Sequence, residues 1–344
     1  MTRPKCGTAG RPVETTLLDL LCLVPRFETT EPVDQVYGIL GLLRRADNDC
    51  GASGEMAASQ QTLQPDYAKS VAEVYSDAVR ATISVGPSGL RYFSLVEQCQ
   101  SPTADDNEIV TWPSWVPQLH KARYHHSRRS SRSIRPKAGG NLSPLIRDGA
   151  CYIEIRIGGL LVSTITSVQP VPKPQFEPEN VIQYAQYMHE LFTSATDITS
   201  KSHTDDIDTV VSWTLTSGGP DLDHVPDAME KFGPDYRNFR RVCIAAATAA
   251  SPDEEAIRKL DMHWTLSRHD AFIEVFRTET YGKALLTTTS GGSIGLAQNN
   301  VNIGDAVCIL FGCDWPVILQ PADEGWAFVA LAYVYDLMDV SRIH

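Results

Sequence analysis

The apolar residues of this chain change their spacing partway along it, and that change limits the folds available. Up to about residue 100 they recur every three or four positions. "TTLLDLLCLV" sets Leu17, Leu18, Leu21 and Val24 on one helical face. "TTEPVDQVYGILGLL" sets Val33, Val36, Tyr37 and Leu40 at i, i+3, i+4 and i+7. From residue 151 the pattern turns to alternation and β-branched residues. "CYIEIRIGGLLVSTITSV" reads as one or two strands around Gly158 and Gly159. Strand signals return in "AFIEVFRTET", "AVCILFG", "PVILQ" and "WAFVALAYVY", separated by Gly, Asn and Asp turns. Residues 178–262 read as helical between them. The expected class is α+β, a helical front part packed with a small β-barrel-like C-terminal part that carries a helical insertion at about 178–262.

Caps and composition place the boundaries. Thr30 is the expected N-cap of the second helix, with Pro32 at its first position, and a polar loop follows Arg44 and Arg45 to about residue 62. The next helix has two competing caps, Asp66 and a Ser70/Glu73 capping box, and a face of Val71, Val74, Tyr75, Ala78 and Thr82. Residues 1–14 are expected to be flexible, 15–120 helical, 121–150 a basic Ser/Arg-rich mobile linker, and 151–344 β-rich. Between Glu108 and Asp148 no acidic residue occurs, while Lys and Arg occur eight times. Such a run has too little apolar content to form a core.

The net charge of −12 argues against nucleic acid as a partner, because phosphate contacts need surplus Lys and Arg. No apolar window of ~18 residues is present and the amino terminus lacks a signal-type run, so a soluble, cytoplasmic protein away from membranes is expected. The eight cysteines are scattered without a C-x-x-C and read as free thiols. No metal is expected: no H-E-x-x-H occurs, and His120, His125 and His126 stand in the basic stretch without a carboxylate nearby. No nucleotide cofactor is expected either, since "TSGGSIGLAQ" lacks the P-loop lysine and its glycines read as hairpin turns. The G-x-S-x-G spacing of Gly291–Gly295 falls in that same glycine stretch read as hairpin turns, so no strand-to-helix nucleophile elbow is expected. Polar residues in apolar context remain as catalytic candidates: Asp34, Tyr37, Asp66, Tyr67, Glu154, Arg156, His269 and Arg277. Each also reads as a cap, a buried tyrosine or a strand-edge charge.

Three phrases stand in order: "TEPVDQVYGILGL" at 30–42, "PDYAKSVAEVYSDA" at 65–78 and "WPSWVPQL" at 112–119. Together they resemble the later half of the fungal heterokaryon incompatibility (HET) domain. Thr30, Pro32, Asp34, Val36, Tyr37, Leu40, Gly41 and Leu42 agree with the family's first phrase. Asp66, Tyr67, Ser70 and Tyr75 agree with its second, and Pro113, Ser114, Trp115 and Pro117 with its third. "FRTETYGKALL", "NIGDAVCILFGCDWPVILQP" and "ALAYVYDLMD" look like the segment that commonly follows that domain. The chain departs from the family at Val33, Gln35, Gln118, Leu119 and Gln320. It also lacks the Ser-Tyr-x-Trp-Gly and Cys-Ile-Asn-Gln phrases of the domain's front half, which resembles the Toll/interleukin receptor fold and where NAD-cleaving chemistry would sit. The resemblance therefore implies neither NAD nor a catalytic residue here.

Two functional expectations follow. One is a non-catalytic or remnant member of that family, acting through protein contacts in fungal self/non-self recognition or a related intracellular response. The alternative is an accessory protein or enzyme of a fungal secondary-metabolite pathway, binding a small molecule between the helical and β-rich parts, around residues 112–117 and 326–335.

Overall fold

A computed structural model describes residues 17–27, 29–50, 63–84, 89–99, 112–121, 137–140, 142, 144–148, 151–172, 178–202, 206–219, 228–248, 271–289 and 292–338. The chain is α+β, with eight α-helices and eight strands among these residues. It divides into two units, Met1–Ser101 with Val116–Tyr124, and Pro102–Trp115 with His125–His344.

The first unit is helical. Helix α1 spans Leu17–Leu23 and runs into a 3-10 turn at Val24–Arg26. Its buried face is Leu17, Leu20, Leu21 and Val24, so Leu20 takes the place expected of Leu18, which lies at the rim. Helix α2 spans Asp34–Cys50. It starts later than Thr30 and Pro32 suggest, because a turn precedes it in which the Asp34 N–H donates to the Glu31 carbonyl (3.0 Å) and the Gln35 N–H to that of Pro32 (3.2 Å). It also continues past Arg45 through residues placed in a loop by sequence, since no Gly or Pro stands between Arg45 and Gly51. The stripe Val33, Val36, Tyr37 and Leu40 is buried as its spacing requires.

Helix α3, Val71–Ser84, settles the competing caps in favour of Ser70. The Glu73 N–H donates to Ser70 Oγ (3.3 Å), and Glu73 Oε2 accepts from the Ser70 N–H (2.8 Å) and hydroxyl (2.8 Å). Those bonds hold the Glu73 carboxyl below its ordinary range. A carboxyl lowered in the folded state stabilises above the unfolded pKa of about 4.3. The contribution is lost as pH falls through the lowered folded value. Ser70→Ala is expected to cost ~1 kcal/mol and to flatten that acid limb, as urea titrations at pH 7 and pH 3 would measure. Helix α4, Phe93–Cys99, follows a 3-10 turn at Gly89–Tyr92.

The second unit is built around a closed antiparallel barrel in the order β3-β4-β5-β8-β7-β6. A separate hairpin precedes it, β1 (Ile146–Asp148) with β2 (Ile155–Ile157). Strand β3, Gly159–Pro170, is long enough to serve two neighbours. Residues 159–164 pair with β6 (Ala306–Leu310) and 165–170 with β4 (Lys283–Thr288), with register shifts at Leu161/Ser163 and Ile165/Ser167. Such bulges bend a strand and let a small sheet close. Strands β5 (Ile294–Gln298), β7 (Val317–Ala322) and β8 (Gly325–Val334) complete the wall. Ile165, Leu286, Ala297, Val307, Ile309, Ile318, Ala330, Ala332 and Val334 form its core, together with Val301, Val329 and Leu337.

Between β3 and β4 the chain leaves the barrel as the expected helical insertion: α5 (Pro178–Ser202), α6 (Ile207–Leu215), α7 (Ala228–Thr248) and α8 (Ala271–Glu279). Residues 249–270 lie outside the described set. The α8 segment is the "AFIEVFRTET" expected as a strand. Its Phe272, Ile273 and Phe276 fall on one side of a helix and enter the aromatic core between α5, α6, α7 and the outer face of the barrel. Strands β4 and β5, by contrast, carried no strand expectation in "KALLTT" and "IGLAQ". Every residue of β4 is buried, with Leu286 in the barrel core and Leu285 in the helical one. A strand covered on both faces shows no alternation. Gly292, with φ +73°, makes the β4–β5 turn, as expected of that glycine. Gly295 does not; it lies within β5, where a Cβ would stand 2.6 Å from the Tyr333 carbonyl oxygen.

Part of the stretch expected as a mobile linker is folded here. The Ala138 and Gly139 N–H groups donate to the carbonyls of Asp314 (3.1 Å) and Cys313 (2.8 Å), and Ile146–Asp148 is β1. Residues 122–136 lie outside the described set.

Candidate functional site

Four of the eight sequence candidates meet in the helical unit. Tyr37, on the second turn of α2, points its hydroxyl at the backbone of Asp66. It donates to the Asp66 carbonyl oxygen (2.9 Å) and accepts from the Asp66 N–H (3.0 Å). One phenol thus satisfies both backbone groups of a residue 29 positions away. Asp66 Oδ1 accepts the Ala68 N–H (3.0 Å), turning the chain toward the Ser70 cap. Asp66 therefore serves this turn and does not cap α3. The turn places Tyr67 edge-on to Tyr37, with ring centroids 5.3 Å apart. Its hydroxyl donates to Asp34 Oδ1 at 2.8 Å, which raises the Tyr67 phenol above its ordinary value. Tyr67 remains 66% exposed.

Beneath this surface lies Tyr75. Its hydroxyl stands 2.8 Å from the Pro32 carbonyl and 2.9 Å from Gln35 Oε1, one proton serving both acceptors. Burial raises this phenol well above its ordinary value. Gln35, a departure from the family phrase, is buried because it meets this hydroxyl. The arrangement welds the first two phrases together and leaves an aromatic, carboxylate-bearing rim. Tyr37→Phe is expected to leave both Asp66 backbone groups without their partner and to cost ~1–2 kcal/mol, measured by urea unfolding at pH 7.

The other candidates do not join it. Glu154 and Arg156 pair on the β1–β2 hairpin (Nε to Oε1 2.8 Å), with Arg156 largely in water, where such a pair adds little stability. Arg277 is exposed on α8, and His269 lies outside the described residues. In the β-rich unit the Ser114 hydroxyl accepts the Phe328 N–H (2.9 Å) and the Trp115 indole donates to the Ile153 carbonyl (3.0 Å). The third phrase thereby fastens residues near 114 to β8.

Sequence reasoning missed a second polar constellation, inside the β-rich unit. Glu279 ends α8 and Lys283 begins β4, and their side chains meet at 3.1 Å, 4% and 8% exposed. The available signal was an i, i+4 Glu/Lys pair spanning Gly282, whose φ of +69° makes the turn. Ser217 Oγ lies 3.4 Å from Lys283 Nζ, and Ser217 itself has φ +52°. A strained serine beside a buried lysine invites comparison with a nucleophile and its base. The turn's amides speak against it: Ser217 N–H donates to Thr214, Gly218 N–H to Trp213 and Gly219 N–H to Thr216 Oγ1. None of those three is left to hold an oxyanion.

Cys22, Cys99, Cys151, Cys243, Cys308 and Cys313 are free thiols. Burial pushes Cys308 up to about 11 and Cys313 up to about 12, so neither is a thiolate at neutral pH. No group of His, Cys, Asp or Glu able to hold a metal ion occurs among the described residues. No helix among them is long and apolar enough to cross a membrane. No protein-family model, curated protein or solved structure matches this chain.

Proposed function

We propose that this chain works through protein contacts as a member of the heterokaryon incompatibility family, serving self/non-self recognition in a fungal cell. The observation that carries the reading is the convergence of Asp34, Tyr37, Asp66 and Tyr67. They come from two separate family-like phrases, and they form one bonded constellation with an exposed rim. Acid–base chemistry needs a carboxylate sequestered where substrate can reach it. Here the carboxylates take up local N–H and O–H donors on an exposed face, an arrangement suited to recognition.

The test is deletion of the gene in the fungus that carries it, scored for viability after hyphal fusion and for secreted metabolites. Altered fusion viability with an unchanged metabolite profile supports the proposal. Unchanged fusion with loss of a metabolite overturns it and selects the biosynthetic alternative.

A further inference from the structure

We propose that the Tyr67 face of the helical unit is a docking surface for an arginine-bearing segment of a partner protein. The inference rests on the reading of this constellation as a contact surface and names the chemistry that it recognises. Tyr67 offers an exposed ring whose edge-on contact with Tyr37 fixes its orientation. An immobilised ring loses little freedom on binding. The hydrogen bond to Asp34 places a carboxylate at the phenol end of that ring, and only Oδ1 of Asp34 is engaged among the described residues. A guanidinium is planar, stacks on an aromatic face and donates along its edge to a carboxylate. The face supplies both.

The surrounding charge agrees in sign. Glu31 and Asp66 are exposed beside the ring's own turn and the start of α2. Lys69, the cation of that turn, is paired with Asp77 at 2.7 Å, which offsets its charge. An ammonium would gain the attraction but not the stacking and the forked donation, so arginine is favoured over lysine.

The test uses the full chain and a fluorescein-labelled peptide, Gly-Ser-Arg repeated three times, by fluorescence anisotropy at about 150 mM salt. Versions with lysine or citrulline in place of arginine serve as comparisons. Tyr67→Ala is the decisive variant because it removes the ring without changing net charge at neutral pH, and an exposed side chain can be removed without unfolding the unit. The arginine peptide is expected to bind the wild type best, Tyr67→Phe somewhat more weakly because the ring stays but the bond that sets Asp34 is lost, and Tyr67→Ala about five- to tenfold more weakly than the wild type. Asp34→Asn should weaken it similarly, lysine should bind more weakly than arginine, and citrulline should fail. Equal binding by wild type and Tyr67→Ala would reduce the effect to general attraction by an acidic chain and overturn the proposal. So would binding that appears only after residues 122–136 are deleted, which would make this chain's own basic run the occupant. Either failure leaves the fusion phenotype of the gene deletion untouched, so the two readings are separable.

Discussion

Lys283→Met is expected to lower the unfolding free energy by about 3–5 kcal/mol, because it removes the ammonium that pairs with the buried Glu279 carboxylate. Both side chains are almost wholly removed from water. Desolvating an ion costs several kcal/mol, and the 3.1 Å contact contributes to offsetting that cost. Glu279→Gln should be less severe, since the amide keeps an acceptor for Lys283. The double replacement Lys283→Met with Glu279→Leu should recover most of the loss, since apolar residues of similar volume carry no desolvation cost. The comparison is Lys69→Ala at the exposed Lys69–Asp77 pair, expected to cost less than ~1 kcal/mol despite its shorter 2.7 Å contact. Urea unfolding of the four variants at pH 7, with slopes checked for a common unfolded state, measures all of this. A Lys283→Met loss no larger than that of Lys69→Ala would show that the buried pair does not lock α8 to β4.

The contrast shows what the sequence could and could not disclose. Periodicity reports which side of an element is buried, so the stripe Val33, Val36, Tyr37 and Leu40 was legible and is found buried. The α+β class and the helical insertion within a barrel were legible for the same reason. Periodicity is silent when both sides are buried. Strand β4 is covered by the barrel core and the helical core at once, so "KALLTT" carried no alternation to read. In "AFIEVFRTET" the β-branched and aromatic content pointed to a strand, and packing against the α7 aromatics made it a helix. Tertiary contacts override propensity in such short apolar runs.

The site divides in the same way. Asp34, Tyr37, Asp66 and Tyr67 could be named because their phrases stand out, but not paired, since a bond across 29 residues leaves no periodic trace. Glu279 and Lys283 were invisible as a buried pair, because a lysine at a strand start ordinarily marks a solvated edge. Gln35 could be flagged only as a departure from a family phrase; the reason for its burial, the Tyr75 hydroxyl, comes from another helix.

Phe272→Ala tests the element that sequence and structure assign differently, and about 3–5 kcal/mol is the expected loss. Phe272 is fully buried among four aromatic rings. Tyr236 meets it edge-on at 5.1 Å and Phe232 at 5.5 Å, while Phe276 stacks on it at 5.4 Å and Phe239 lies at 6.1 Å. Truncation removes its apolar burial and leaves a void that rings on α7 and α8 cannot close without moving their backbones. Phe272→Leu retains much of that volume and should cost less. A double-mutant cycle of Phe272→Leu with Tyr236→Leu isolates the ring–ring contribution, expected at about 0.5–1.5 kcal/mol. Phe27→Ala is the surface control, a ring 58% exposed whose removal should change stability by no more than ~0.5 kcal/mol. Were Phe272→Ala no costlier than Phe27→Ala, α8 could not be packed into the aromatic core. The edge-on contacts make the cycle the sharper measurement. Coupling between Phe272 and Tyr236 requires α8 to lie against α7 in this register, and a strand docked elsewhere would leave the two substitutions additive.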